Sequence, residues 1–304
     1  MSSRIVITGG GGQLGSALTA LTMDQGRDAL ALTSSQWDIT DPAEAQRIIR
    51  NGDVVINCAA YTNVDAAESD EARAYAVNAA GPEHIARACA RVGARLIHVS
   101  TDYVFTGDPG EGGPRPYEPS DETDARGVYA LSKLAGERAV LAALPEASEG
   151  IVVRTAWLYT GGTGKDFVAV MRRLAAGDGP VNVVDDQIGS PTYVADLAVA
   201  LLQVADDPVP GPILHAANEG EVSRFGQARA VFEECGADPE RVRPVTTAQF
   251  PRPAPRPSYS ALGGRQSAAA GLTPLRPWRA ALVAALAASP SDAAADRPLP
   301  STRD

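Results

Sequence analysis

In the first half of this chain apolar residues come in short uninterrupted runs, each closed by glycine or polar residues and followed by a stretch of helical period. Arg4–Thr8 (RIVIT) is one such run. It is too short for a helix, is rich in β-branched residues and ends in glycines, so it predicts a buried strand. Gln13 through Leu21 then reads as a helix. Asp28–Thr33 (DALALT), Asp53–Cys58 (DVVINC), Arg95–Val99 and Ile151–Ala156 predict further strands. Helices are predicted over about Ser69–Asn78, over Pro82–Val92 and across Val128–Glu137 (VYALSKLAGE). Strand and helix alternate throughout, which predicts an α/β fold built on a Rossmann-type doubly wound parallel sheet.

From Gly161 the alternation loosens. A helix near Phe167–Ala176 and the segment VVDDQIGSPTY predict a smaller second lobe, and a helix over Val194–Ala205 returns to the first. The expected division is a dinucleotide-binding domain at 1–158 (with a return of about 192–217), a substrate-binding lobe at 159–288, and a tail at 289–304. That tail is Ala, Pro, Asp and Ser with little to bury, which predicts disorder.

Two stretches carry candidate chemistry. The turn TGGGGQLG sets Gly9, Gly12 and Gly15 three apart, between the first strand and the first helix. That is the context of a dinucleotide fingerprint: a tight turn, close backbone approach to a pyrophosphate, and close helix–strand packing. The end of the second strand, Thr33-Ser34-Ser35, offers neither the acid that selects NAD nor an arginine, and its hydroxyls suit a 2′-phosphate or a 2′-hydroxyl. In VYALSKLAGE, Tyr129 and Lys133 lie one turn apart on one helix face. An ammonium beside a phenol lowers its pKa and makes it a usable proton donor; the alternative is a buried tyrosine and a solvated lysine. The Ser100-Thr101 pair ends a strand upstream, and the long loop Asp108–Asp124 inside a compact domain points to function.

Composition narrows the classes. A formal net charge of −10 argues against nucleic acid as a partner. Residues 1–158 hold 13 basic and 21 acidic side chains, yet helix N-termini can still hold an anionic cofactor there. No apolar run approaches the roughly 20 residues that span a membrane, so no membrane association and a cytoplasmic location are expected. Cys58, Cys89 and Cys235 are an odd count without metal-ligand spacing and read as reduced structural thiols; His84, His98 and His215 show no such spacing either, so no metal is expected. Residues 241–265 contain Arg241, Arg243, Arg252, Arg256 and Arg265 without an acid: an anion site, with Arg256 as the best single candidate, or a solvated loop.

Taken in order, TGGGGQLG, WDITDP, INCAAYTNVDAAE, VNAAG, HVSTDYVFTG, YALSKLAGE, VRTAWLYT, VDDQIGSPTYVADLA, GPILHAANEGEVSRF and RPSYSAL resemble the extended short-chain dehydrogenases/reductases. Within them they resemble the dTDP-4-dehydrorhamnose reductase family, from about residue 4 to 286. The resemblance implies reduction of a nucleotide-sugar 4-keto group, that of dTDP-4-dehydro-L-rhamnose, by NADPH, with NADH as the alternative. It implies that Gly12, Gln13 and Leu14 meet the pyrophosphate, Asp38 and Ile39 the adenine end, and that Ala60, Tyr61 and Thr62 line the cofactor. Thr101 and Asp102 are expected beside the substrate, with Thr101 on the keto oxygen and Tyr129 as proton donor. Lys133 is expected to bind the nicotinamide ribose and tune Tyr129. Trp157 is expected to pack near the sugar or in the core. Sugar-nucleotide 4,6-dehydratases carry a glutamate where this chain has Tyr103, so simple reduction is expected. Ser16 stands where metal-bridged relatives have a glutamate, so a monomer or weak homodimer without magnesium is expected. A non-catalytic regulatory subunit on the same fold, or another reductase or epimerase of the superfamily, is the alternative.

Overall fold

The computed structural model describes residues 3–107, 113–146, 149–162, 164–207 and 209–288. Its centre is a six-stranded sheet. Five strands come from the first half: β1 (Ile5–Thr8), β2 (Ala29–Leu32), β3 (Val54–Asn57), β4 (Arg95–Thr101) and β5 (Gly150–Thr155). The sixth, Ile213–His215, adds at the edge beside β5, giving the order Ile213–His215, β5, β4, β3, β1, β2 with every pairing parallel. Both faces are covered, which is why these strands read as continuous apolar runs. Ile5, Ile7, Val54 and Ile56 pack against Leu14, Leu18, Leu197 and Leu201 on one face. Val6, Val55, Leu96 and Val152 pack against Ile85, Cys89, Val140 and Leu144 on the other.

Strand order reverses between β1 and β3, since β2 lies outward on one side and β4 and β5 follow on the other. Such a switch point opens a crevice at the strands' carboxyl ends, and ligands bind there. The helix Val194–Asp206 packs beside the first helix, Gln13–Asp24, returning the chain to this sheet before the edge strand. A separate apolar cluster forms from Tyr159, Val168, Met171, Val231, Phe232, Val242 and Leu282. There Val181–Val184 pairs in parallel with Val242–Val245, and Ile188–Gly189 pairs antiparallel with Val222–Ser223.

Local differences from the sequence expectation have physical causes. A helix at Pro42–Ile48 was not expected, although Asp41 accepts from the Ala43 N–H at 2.8 Å and Pro42 opens the first turn, a standard start signal. The two helices expected over 69–78 and 82–92 run on as one: Glu71–Tyr75, a π-helical turn at Ala76–Ala80, then Gly81–Val92. The wide turn accommodates the missing N–H of Pro82, so proline does not end the helix here. Cys235 is exposed and is therefore not a core thiol. The expected disorder of the tail from 289 falls outside the described residues, as does 108–112 of the Asp108–Asp124 loop. The described part of that loop is pinned, with Tyr117 stacked on Phe105 at 4.3 Å. No helix among the described residues is long and apolar enough to cross a membrane.

Candidate active site

A cavity of about 920 Å³ opens at the switch point. Its wall after β1 is the glycine turn, with Gly9, Gly12, Gln13, Leu14 and Gly15 all lining it. Gly15 has no room for a side chain: a Cβ there would fall 2.2 Å from the Gly9 carbonyl oxygen. The following helix has Gly12 at its N-cap and no side-chain acceptor for its first amides, so these and the helix dipole are left to an anion. This cradle fits the pyrophosphate of a dinucleotide.

The far end of the cavity is lined by Thr33, Ser34, Asp38 and Ile39. Asp38 is ionised readily, its pKa lowered by the hydroxyl and N–H of Thr40 at 2.7 and 3.0 Å. Arg73, Lys165 and Asp166 also line the cavity, and sequence reasoning missed them. Arg73 and Lys165 supply cationic groups in an acidic chain, beside the cofactor cradle. Only the start of a helix by an Asp at 166, which accepts from Ala169 N–H at 3.0 Å, was a legible signal for that corner.

After β3, Ala60, Tyr61 and Thr62 line the cavity. Their loop is held by Asn78 of the π turn, whose side chain accepts from Tyr61 N–H at 2.8 Å and donates to Tyr61 O at 3.1 Å. The same amide donates to Ser132 Oγ at 3.0 Å, tying this loop to the helix Val128–Ala143. That helix is capped from a distance, with Glu68 accepting from the Val128 N–H at 2.8 Å.

Thr101, Asp102, Tyr129, Lys133 and Trp157 converge on the cavity floor. Burial pushes the Tyr129 phenol well above its ordinary value, and the Thr101 hydroxyl at its oxygen pulls the other way. Lys133 is not among the groups that shift the Tyr129 phenol here. Lys133 Nζ donates to Val99 O at 2.7 Å, and burial lowers the amine to about 8, opposed by Glu137. Burial raises Asp102 to about 6, while hydrogen bonds from Ser260 Oγ (2.5 Å) and Thr101 Oγ1 (3.0 Å) favour its charge. The Thr101 hydroxyl thus lies between Asp102 and the Tyr129 oxygen, and its one proton must turn to serve a substrate oxygen. Trp157 is neither purely core nor free: its φ is +47°, and its ring packs against the backbone of Gly189.

Arg256 is not brought to this cavity. It lines a neighbouring cavity of about 400 Å³ with Tyr103, Phe105 and Arg126, and pairs with Asp65 at 3.0 Å. Arg241, Arg252, Arg256 and Arg265 of the arginine tract are not free-standing. Arg252 shares Asp65 at 3.4 Å, Arg265 meets Glu118 at 3.7 Å, and Arg241 donates to the carbonyls of Leu174, Ala175 and Gly179. The tract lacks acids in sequence; the fold supplies them from elsewhere. No group of His, Cys, Asp and Glu able to hold a metal occurs among the described residues.

Comparison with known proteins adds identity to this geometry. The family described as the RmlD substrate binding domain matches residues 3–290. The dTDP-4-dehydrorhamnose reductase of Mycobacterium tuberculosis is 77% identical over 303 residues, covering 100% of this chain and 99% of its own. Among solved structures, a dTDP-4-dehydrorhamnose reductase from Clostridium acetobutylicum superposes with a TM-score of 0.87 at 36% identity, covering 94% of this chain and 99% of that one. The dTDP-4-dehydrorhamnose reductase of Bacillus anthracis, solved in complex with NADP, gives 0.85 at 36% identity, covering 93% and 98%.

Proposed function

From the premise that this chain belongs to the RmlD substrate binding domain family, we infer that it reduces the 4-keto group of dTDP-4-dehydro-L-rhamnose, giving dTDP-L-rhamnose. NADPH is the cofactor, as the NADP complex of the Bacillus relative supports. The observation that carries the reading is the convergence of Thr101, Tyr129 and Lys133 on the floor of the cavity whose wall is the glycine cradle.

When bound, the reduced nicotinamide supplies the hydride for the keto carbon. Gly12, Gln13 and Leu14 hold the pyrophosphate with backbone amides, and Thr33, Ser34 and Arg73 receive the 2′-phosphate end, with Asp38 and Ile39 beside the adenine. Ala60, Tyr61 and Thr62 form the middle wall. Lys133 binds the nicotinamide ribose with another of its three N–H donors, one being held by Val99 O. Negative charge develops on the former keto oxygen, so a donor there stabilises the transition state more than the ground state. Tyr129 transfers its phenolic proton to that oxygen as the C–O double bond becomes single. Burial keeps this phenol fully protonated at neutral pH, so the proton is available in every resting molecule. Thr101 turns its hydroxyl from Asp102 to donate a second hydrogen bond, and Trp157 forms the platform for the sugar. Arg256 serves the outer, nucleotide end.

Residues 1–158 with the return at about 192–217 form the cofactor half, and 159–288 the substrate half. The edge strand Ile213–His215 and the separate apolar cluster support that division. The enzyme acts in the cytoplasm as a monomer or weak homodimer, without nucleic acid. The test is NADPH oxidation by the purified protein, followed by absorbance, which should begin only when dTDP-4-dehydro-L-rhamnose is added. Tight NADPH binding with no oxidation in its presence would return the chain to a regulatory role.

A further inference from the structure

Arg224 opens the helix Arg224–Glu234 in the second half of the chain. A cation in a helix's first turn opposes the helix dipole, so its charge is not there to stabilise that helix. Ser223 already caps it, accepting from Gly226 N–H at 3.0 Å. The guanidinium carbon sits 3.5 Å from the centroid of Trp157 and 4.9 Å from that of Phe167. Trp157 in turn lines the main cavity beside Thr101 and Tyr129.

No ion pair reaches Arg224 among the described residues, and its side-chain hydrogen bond is a long one, Nη1 to Gln227 Oε1 at 3.4 Å. The acid whose field it feels, Asp102, gives its two oxygens to Ser260 and Thr101 instead. Arg256 adds like charge, and both guanidiniums act on Tyr103. Burial lowers Arg224 to about 10. Arg154, by contrast, is buried against Glu137 with bonds of 3.0 and 2.8 Å. A half-buried charge without a counter-ion carries a desolvation cost that an arriving anion offsets.

We propose that Arg224 holds the diphosphate of the nucleotide-sugar substrate, forking onto its oxygens from above Trp157. This rests on the function proposed above. In a pyranose the diphosphate-bearing C1 lies across the ring from C4. A sugar lying on Trp157 with its C4 oxygen at Tyr129 therefore sends the diphosphate off the far side of the ring from Tyr129, toward the guanidinium that Trp157 carries at 3.5 Å. A guanidinium fork matches phosphate oxygens, and the dianion relieves the repulsion between the two arginines.

Calorimetric titration of dTDP and of dTMP into the full-length wild type, Arg224→Gln and Arg224→Lys tests this. Arg224→Gln should weaken dTDP by roughly 10–100-fold, the worth of a charge-assisted bond, and largely erase the preference for dTDP over dTMP. Arg224→Lys should recover part of the loss, since it keeps the charge without the fork. The NADPH affinity, read by fluorescence, should stay within about twofold, and the melting temperature without ligand should not fall, because an uncompensated charge has been removed. Unchanged dTDP affinity in Arg224→Gln together with a lower melting temperature would make Arg224 a packing cation over Trp157 and overturn the proposal. Should Arg224→Gln fail to fold, wild-type dTDP affinity in Arg224→Lys would overturn it equally. A wild type that binds dTDP no better than dTMP would instead overturn the nucleotide-sugar function, and this inference with it.

Discussion

Replacing Gly136 by alanine tests whether the helix bearing Tyr129 and Lys133 is held in place by its contact with the π turn. A Cβ at Gly136 would lie 2.1 Å from the carbonyl oxygen of Asn78, about 1 Å short of an ordinary carbon–oxygen contact. Both partners are backbone, so no side chain can swing away; the helix or the turn must move by about that ångström. Overpacking of this kind costs about 1–3 kcal/mol, against about 1 kcal/mol that alanine returns as the better helix former. A net loss of up to about 2 kcal/mol should lower the melting temperature by up to roughly 3 °C for a chain of this size. The larger effect falls on function. Asn78 holds Tyr61 and Ser132, so displacement moves the cofactor wall and the proton donor together. Misplacing reacting groups by about 1 Å costs on the order of 100-fold in turnover. Differential scanning calorimetry and NADPH-linked kcat measure the two effects. Gly179→Ala, where an added Cβ meets nothing within 4 Å, is the control and should be neutral in both. Wild-type turnover and melting temperature in Gly136→Ala would refute the reasoning that this contact positions the site.

Other outcomes follow from the same geometry. Tyr129→Phe removes the proton and keeps the ring, so kcat should fall by roughly 10²–10⁴ while NADPH affinity is retained; near-normal turnover would mean the proton comes from elsewhere. The kcat/KM profile should be bell-shaped. Asp102 takes up a proton below about 6 and loosens Thr101, and Lys133 loses its charge above about 8; Asp102→Asn should abolish the acid limb, and an unaltered limb would exclude Asp102 as its source. Arg256→Ala should raise KM for the nucleotide sugar several-fold and leave KM for NADPH unchanged, whereas equal shifts in both would reduce Arg256 to the partner of Asp65. EDTA should leave the rate unchanged, and loss restored by magnesium would reveal a metal requirement.

The alternation of apolar runs and helical stretches determined the α/β architecture, because burial on both faces of a parallel sheet leaves a local pattern in each strand. The glycine spacing and the Tyr129–Lys133 spacing were equally legible, since each is set by backbone approach or by one helical turn. What the sequence could not carry was partnership across distance. Asp65, far upstream, is shared by Arg252 and Arg256, so a tract without acids still finds an acid in the fold. The pKa expected for Tyr129 rested on a neighbour at four residues, whereas its largest influence is burial by the whole fold, which no local spacing records. No motif or spacing in the sequence singles out Arg224. Only the folded chain brings it over Trp157 without an ion pair among the described residues, because spacing records neighbours along the chain while charge balance is decided by neighbours in space.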